Sequence, residues 1–425
     1  MSKIRVGFIC GKDTDFVEHP GKGPKYTNIG DPSFLKDMPD KWRVDPKSHE
    51  YLMNCPPGVK GQAHCDVALA WYIQKHNKDI EADIITPEEL TLERLEKNDV
   101  NFTMGYNMVN IAVEGDPAAY GIKMKAFKKA NNLFPTWAQE EFILHKSHYM
   151  KACMDAGVPM APTIFAMKNC RSPTQLLKQI KARGWKTFVM KQSESGFCLG
   201  FLKLTVEQCE QDPSILAKYF SGYANCPEYI VQEAIEGFTR NWETRCFWWN
   251  GKFLYAIANM AAVSSKDGKE CIITGDDIPK EFLENAKRVG RAAIKAMPKM
   301  KLPNGKTINQ VLLRTDIGCC DSELHDNTYN WNPNKKTFFL NEIEPNSTTY
   351  FVRWLKFDCL PLYGKLYARS AKEIYKKMLG GGKPTKRSAA KAKTTKVTKV
   401  QKKTLKGRPK KLAQMLKTAK SGRKK

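Results

Sequence analysis

Arg314-Thr315-Asp316 and, further along the chain, Asn341-Glu342-Ile343-Glu344-Pro345-Asn346 are the two segments that decide the fold. An apolar run precedes each segment, as is typical of a buried strand. Alternation along a strand places the two glutamates on one face, and likewise the arginine and the aspartate. If the strands are neighbours, three carboxylates and an arginine converge where isolated charges are costly to bury. Such oxygen ligands favour magnesium, which commonly bridges carboxylates and nucleotide phosphates. Solvated charges on an amphipathic strand are the alternative interpretation.

A second segment, 188–200, brings a lysine to the end of a predicted strand. Lys191 closes the apolar run, and a loop rich in serine and glycine follows from Ser193 to Gly200. Backbone N–H groups and hydroxyls of such a loop can bind phosphate. The loop lacks the Walker A pattern, so taken alone it is a weak signal.

A third segment, 229–245, indicates a strand that ends in a polar pair. An apolar run is followed by Gln232 and Glu233 and then, after one intervening residue, by Ile235. Glu243 lies further along the same segment. The end of such a strand can offer hydrogen-bonding groups to the edge of an adenine ring. This signal is also weak by itself.

Together, in this order and spacing, the three segments and the helix near Lys146 resemble the ATP-grasp superfamily, in particular the layout of D-alanine–D-alanine ligases. The helix is followed by Gly157-Val158-Pro159-Met160-Ala161-Pro162, which is similar to the family's glycine- and proline-containing entry into a strand. The resemblance covers roughly residues 100–370. It implies an α/β fold, specifically the α+β ATP-grasp fold, and a ligase that consumes ATP.

The resemblance also implies a role for each matching residue. The nucleotide-binding residues would be Lys146, Lys191, Ser193, Ser195, Gly196, Gln232, Glu233, Ile235 and Glu243. The two lysines would contact the phosphates, and the loop 193–200 would close over them. The Gln232 side chain would face the adenine amino group, the backbone of Glu233 and Ile235 would complete that edge, and Glu243 would bind the ribose.

For the reacting groups, the resemblance implies that Asp316, Glu342 and Glu344 hold two Mg²⁺ ions, with Mn²⁺ as a possible substitute. Arg314 would steady the transferred phosphoryl group, with Lys191 as a second catalytic cation. Asn346 and residues 347–349 would lie where the family binds the acceptor substrate. The expected substrates are a small carboxylate and a small amine, joined through an acyl phosphate.

Several positions depart from the family's pattern. The last metal pair is usually Glu-x-Asn, whereas here it is Glu342-Ile343-Glu344, with an asparagine only at Asn346. Either Glu344 is a more anionic ligand or Asn346 takes part. The hinge has Gln232 where glutamate is commoner, and the phosphate loop is poorer in glycine. A polar insertion between 317 and 336 leaves open the pairing register of the two strands that carry the predicted metal ligands.

The patterns along the chain predict an open α/β domain at 1–135, with an irregular insertion at 21–61 that is a surface insertion or a lid. An ATP-grasp domain is expected at 136–378, with a small subdomain at about 155–235 and a large one at about 236–378. Apolar periodicity and end signals predict the individual elements. The predicted strands are 4–10, 82–85, 100–105, 163–167, 187–191, 229–234, 250–260, 311–317 and 337–343, and the predicted helices are 63–76, 87–97, 137–156, 173–183 and 279–297.

The carboxyl-terminal segment differs in composition from the rest of the chain. Residues 383–425 contain eighteen Lys and Arg and no Asp or Glu, and so supply most of the net charge of +26. We expect the segment 379–425 to be disordered and able to neutralise phosphates of DNA or RNA. Gly407-Arg408-Pro409 resembles the core of an AT-hook. Nuclear targeting and a solubilising role are the alternatives.

The thirteen cysteines are irregularly spaced with no CxxC pair, which indicates reduced thiols in an intracellular protein, cytoplasmic or nuclear. No window reaches eighteen apolar residues, so no membrane segment is expected. A homodimer is possible. Besides the ligase, two functions remain open: an ATP-grasp kinase that phosphorylates a hydroxyl, and a degenerate grasp domain in a nucleic-acid-binding protein.

Overall fold

The apolar run at the amino terminus forms strand β1 (Ile4–Ile9), the centre of the first sheet. The computed structural model describes residues 3–11, 16–17, 32–43, 63–108, 110–111, 117–167, 172–194, 200–224, 226–235, 237–238, 241–260, 272–320, 337–345, 355, 357 and 359–379. A short pair, β2 (Phe16–Val17) with β3 (Ala63–His64), precedes helix α1 (Cys65–His76). The helix therefore begins two residues later than the sequence predicts.

The first sheet is parallel throughout, as an α/β domain requires. Its other members are β4 (Ile80–Ile85), β5 (Val100–Thr103) and β6 (Leu133–Phe134), in the order β4-β1-β5-β6. The connecting helices are α2 (Leu92–Glu96) and α3 (Pro117–Lys129). The buried side chains of Val6, Phe8 and Phe102 form its core.

The helix predicted over 87–97 is wrong in its continuity. A 3₁₀ turn (Pro87–Glu89) comes first, capped by Thr86, and Thr91 then starts α2 by accepting the Arg94 N–H at 3.2 Å. Two threonines five residues apart thus cap two separate short elements, the 3₁₀ turn and α2. Pro87 indicates only the first of them.

The helix predicted over 137–156 is also interrupted. It divides into α4 (Trp137–Leu144) and α5 (Lys146–Asp155), with His145 in a non-helical conformation between them. The Lys146 N–H donates to the Ser193 carbonyl at 2.8 Å instead of continuing the helical pattern. This long-range bond makes Lys146 the first residue of a new helix.

The second sheet is antiparallel. Its strands are β7 (Thr163–Met167), β8 (Thr187–Gln192), β9 (Leu202–Thr205) and β10 (Glu228–Glu233), in the order β7-β10-β8-β9. Helices α6 (Pro173–Ala182), α7 (Val206–Gln211) and α8 (Ser214–Gly222) accompany it. One face forms a core around Phe188, Met190 and Tyr229, so the alternate residues of the strands face the other way.

The third sheet carries Arg314, Asp316, Glu342 and Glu344. Its strands are β11 (Trp242–Trp249), β12 (Lys252–Met260), β13 (Ile272–Thr274), β16 (Leu312–Cys320) and β17 (Thr337–Pro345), in the order β13-β12-β11-β16-β17. Helix α9 (Lys280–Ala296) covers one face. A two-residue pair, β14 (Met300–Lys301) with β15 (Thr307–Ile308), lies between α9 and β16 in the chain.

Helix α10 (Cys359–Met378) returns to the first domain and packs against α1 and β5. Several elements were not predicted from the sequence, among them α3, α10 and β11. The aromatic residues of β11 lie on both faces of the strand, and both faces are buried there. Trp248 packs under α9, whereas Phe247 and Trp249 belong to the core shared with α10. A strand buried on both sides has no alternation for a sequence pattern to detect.

Among the residues that the structure describes, every helix is too short or too polar to cross a bilayer. The cysteines of the described ranges are buried, and none is joined in a disulfide. The predicted disorder of 379–425 falls outside the described residues beyond Leu379, as does most of the predicted insertion 21–61.

Candidate active site

Strands β16 and β17 are neighbours, and their register brings the predicted metal residues together. Asp316 pairs with Glu342, and Arg314 pairs with Glu344 in the next row. A bulge between Asp316 and Ile317 shifts the register, and the pairing continues beyond it to Cys320 and Thr337. The register that the polar insertion left open is therefore set, while 321–336 lie outside the described residues. On the other side of β16, Arg245 of β11 pairs with Asp316. The row across the sheet is therefore Arg245, Asp316 and Glu342.

Two near-parallel hydrogen bonds hold Asp316 to Arg314. The arginine Nε donates to Oδ1 at 2.7 Å and an Nη donates to Oδ2 at 2.8 Å. Both side chains are almost buried, with 11% and 5% exposed. Burial lowers the pKa of Arg314, but the Asp316 charge outweighs this and raises it, so the guanidinium stays charged.

Lys146 forms an ion pair with Glu342 that links α5 to β17. Burial raises the pKa of Glu342, but the charges of Lys146 and Lys191 outweigh it and lower that pKa to about 2. The pKa of Lys146 is raised in turn, because Glu342 counteracts the effect of burial. Both groups are therefore ionised at neutral pH, although the lysine side chain is only 12% exposed.

Glu344 differs from Glu342 in its ionisation. Burial and the nearby charge of Glu342 raise its pKa to about 7. The two carboxylates thus occupy one face with pKa values far apart, because the cations lie mainly against Glu342.

The second sheet supplies the other predicted phosphate lysine. Lys191 lies on the face of β8 opposite the Phe188 and Met190 core, and its charge acts on Glu342 of the third sheet. The following Ser193 is buried, and its backbone N–H donates to the Glu228 carbonyl at 3.0 Å. Because that N–H already has an acceptor, Ser193 holds the start of the loop in place and does not present its amide to phosphate.

The hinge residues lie at the end of β10. The Gln232 amide donates to the Thr163 hydroxyl at 3.1 Å, which fixes the side chain on the same face as Lys191. The Glu233 N–H donates to the Pro162 carbonyl at 3.0 Å, so any contact from its backbone to an adenine would use the carbonyl. Ile235 joins Phe238 and Phe339 in a small apolar cluster beside the hinge.

Glu243 is the second residue of β11 and lies on the face that carries the charged row. Asn341 donates to its Oε1 at 2.8 Å, and Arg245 lies at 3.4 Å from its Oε2. Burial and the neighbouring Asp316 charge raise the pKa of Glu243. The carboxylate predicted to bind ribose thus adjoins those predicted to bind metal.

Comparisons with known proteins give the following likenesses. D-cycloserine synthetase DcsG has 14% identity and a TM-score of 0.50, over 72% of this chain and 94% of that one. D-alanine–D-alanine ligase from Bacillus anthracis has 12% identity and a TM-score of 0.47, over 88% and 99% of the two chains. The ATP-grasp ligase PsnB, complexed with a minimal precursor, has 12% identity and a TM-score of 0.41, over 64% and 79%. No family model and no curated protein matches the chain.

The chain has the ATP-grasp fold. At these identities the likeness concerns the fold alone. The predicted α/β class and ATP-grasp layout are therefore confirmed, whereas the roles of the individual residues stay predictions.

The donor set of this ATP-grasp fold suits magnesium, but the carboxylates are not arranged as a closed metal cage. Across the described ranges, no group of three His, Cys, Asp or Glu side chains is close enough to hold an ion. Asp316 is instead held by Arg314, and Glu342 by Lys146. Mg²⁺ at nucleotide sites needs only one or two carboxylates together with phosphate oxygens, so Asp316, Glu342 and Glu344 remain suitable ligands.

Six of the predicted site residues lie outside the described residues. They are Ser195 and Gly196 of the phosphate loop and Asn346 with 347–349 after β17. The predictions made for them stay untested.

Arg245 and Asn341 belong to the site but were not predicted from the sequence. Arg245 follows Glu243 at the two-residue spacing that shares a strand face, a signal that becomes visible only once β11 is recognised as a strand. Asn341 is the residue skipped by the bulge in β17, and no sequence pattern indicates its contact with Glu243.

Proposed function

We propose that the protein is an ATP-dependent ligase that joins a small carboxylate to an amine through an acyl phosphate. One observation carries the proposal: two lysines on different elements, Lys146 and Lys191, converge on the carboxylate face of the third sheet, where Arg314 also lies. Such a mixture of cations and carboxylates suits a nucleoside triphosphate with bound divalent ions.

The first step moves a phosphoryl group. A carboxylate oxygen of the substrate attacks the γ-phosphorus of ATP, the bond to the β,γ-bridging oxygen breaks, and ADP leaves. The transition state is loose, so the protein contributes positioning and charge neutralisation. Lys146, Lys191 and Arg314 would supply fixed positive charge to the phosphate oxygens. Mg²⁺ held by Asp316, Glu342 and Glu344 would screen the remaining negative charge.

The second step forms the C–N bond. The amine nitrogen attacks the acyl carbon, orthophosphate leaves with the electron pair of the C–O bond, and the nitrogen loses a proton. Activation is needed because a carboxylate and an ammonium ion do not condense at neutral pH. Water must be excluded while the acyl phosphate exists, for which the loop 193–200 is the candidate lid.

The test is a screen of acids and amines with the purified full chain, ATP and magnesium. The proposal predicts that ADP and orthophosphate accumulate only when one acid and one amine are both present, and that mass spectrometry detects their condensed product. Phosphate retained on a substrate as a phosphoester would instead indicate a kinase. Failure of the chain to bind any nucleotide would refute both enzymes.

A further inference from the structure

Arg245 is a fourth cation at the charged face, and neither the family resemblance nor the mechanism above assigns it a role. It lies on β11 directly opposite Asp316. One of its Nη atoms lies 3.4 Å from Glu243 Oε2, and its Nε lies 3.8 Å from Asp316 Oδ2. The guanidinium therefore bridges the carboxylate predicted to bind ribose and a carboxylate predicted to bind metal.

This position matches the path of a bound nucleotide. Glu243 and Arg245 share one face of β11, about 7 Å apart along the strand. A ligand with its ribose at Glu243 and its terminal phosphates at Asp316 and Glu342 must pass the guanidinium with the phosphates nearest the sugar. The side chain is 24% exposed, so a ligand can reach part of it.

The contacts of Arg245 with Glu243 and Asp316 are longer than those of Arg314 with Asp316. Its distances of 3.4 and 3.8 Å to Glu243 and Asp316 exceed the 2.7 and 2.8 Å between Arg314 and Asp316. Charged hydrogen bonds strengthen as they shorten towards about 2.8 Å. Exchanging a longer contact for a phosphate oxygen therefore costs less than opening the Arg314 pair.

Charge balance supports the same role. Among the described residues of the face, four acidic side chains (Glu243, Asp316, Glu342 and Glu344) lie with four cationic ones (Lys146, Lys191, Arg245 and Arg314). If Asp316 held a divalent ion, the two arginines beside it would lose part of their counter-charge. Phosphate oxygens are the groups that would then replace it.

We propose that Arg245 binds the phosphates nearest the ribose and so sets the affinity of the site for the diphosphate part of the nucleotide. The inference rests on the proposed function, because it requires a nucleotide in this cleft. A merely structural role would be to neutralise Glu243 and Asp316, which would affect the ribose end as much as the phosphate end. The two roles therefore predict different dependence on the ligand.

The experiment measures displacement of a fluorescent ATP analogue from the full chain by adenosine, MgADP and MgATP. Wild type is compared with Arg245→Gln, Arg245→Lys and the control Arg369→Gln, an arginine 78% exposed on α10 that pairs with Glu373. We expect Arg245→Gln to weaken MgADP and MgATP by about 10- to 100-fold, as loss of a charged hydrogen bond predicts. Adenosine affinity should change less than about twofold, Arg245→Lys should recover part of the loss, and the control should match wild type.

Three outcomes overturn the inference. Unchanged affinity for MgADP in Arg245→Gln shows that no phosphate contact exists. Equal weakening of adenosine and MgADP shows the structural role at Glu243. If wild type binds no nucleotide, the proposed function fails together with the inference. If wild type binds nucleotide but Arg245→Gln gives either of the first two results, only the inference fails and the proposed function stands.

Discussion

Lys146 and Glu342 depend on each other because both are largely buried. Removing one partner leaves an uncompensated charge, which costs several kcal/mol, whereas removing both can be nearly neutral. The structure thus predicts that this pair contributes to folding as well as to the site.

We therefore expect Glu342→Gln to lower the free energy of unfolding by about 2–4 kcal/mol, because Lys146 keeps a buried charge without its partner. The double variant Lys146→Met with Glu342→Gln should recover most of that loss while remaining inactive. Chemical denaturation of both variants measures the effect. A double variant no more stable than the single one would contradict the buried-pair account.

Lys191 is predicted to act on the reaction rather than on stability. We expect Lys191→Ala to lower kcat at least about 100-fold, since a fixed cation at developing phosphate charge contributes to that extent. Lys181→Ala is the matched control, because Lys181 is a 54% exposed lysine of the same subdomain that pairs with Glu210. Steady-state rates that fall equally in both variants would argue against a specific role.

At the scale of elements, the close contact of α9 with the third sheet determines how the carboxylate strands are held. A Cβ on Gly290 would lie 2.7 Å from the Trp248 ring and 2.7 Å from the Thr315 hydroxyl. These two groups are themselves joined by a hydrogen bond of 2.9 Å across β11 and β16. Any shift of α9 here is transmitted to the neighbours of Arg314 and Asp316.

Gly290→Ala should therefore lower the free energy of unfolding by about 1–3 kcal/mol, the usual cost of overpacking. Gly121→Ala in α3 is the control, because nothing lies near its Cβ and alanine favours a helix. Thermal unfolding of the two variants should show opposite shifts. A Gly290 variant as stable as wild type would mean that α9 packs less closely than described.

The same elements show what the sequence can predict and what it cannot. Strands β16 and β17 are predicted because each couples an apolar run to alternating charges, and the shared face follows from strand geometry. The break at His145 depends on a bond to the Ser193 carbonyl, a residue distant in sequence. Arg245 was missed because β11 was not recognised as a strand: its second half, 246–249, is buried on both faces and shows no alternation. No local pattern indicates the order of the strands across the sheet.

At the scale of the whole molecule, stability should depend on pH through Glu140. This side chain is fully buried on α4, which packs against β17, and burial raises its pKa to about 8 from an ordinary value of 4.5. The folded state therefore holds a proton that the unfolded state releases between these values. The stabilising contribution is complete below pH 4.5 and is lost as the pH rises through about 8.

We expect the free energy of unfolding to fall between pH 5 and 8 by up to about 1.4 kcal/mol per pH unit from this group. Glu140→Gln should remove that component. The free energy of unfolding of the variant should therefore increase relative to that of wild type as the pH rises and differ little from it at pH 5. Denaturant unfolding at several pH values measures the difference. A difference that is independent of pH would contradict the buried, protonated state.

The central claim is that the molecule activates a carboxylate by phosphorylation, and oxygen transfer tests it most directly. Once the screen identifies an acid and an amine, the acid is supplied with ¹⁸O in its carboxylate, in parallel with a chain that ends at Leu379. The account predicts that one labelled oxygen appears in the released orthophosphate for both chains, because the acyl phosphate breaks at its C–O bond. Product formed with unlabelled orthophosphate, or with AMP and pyrophosphate released, would contradict it.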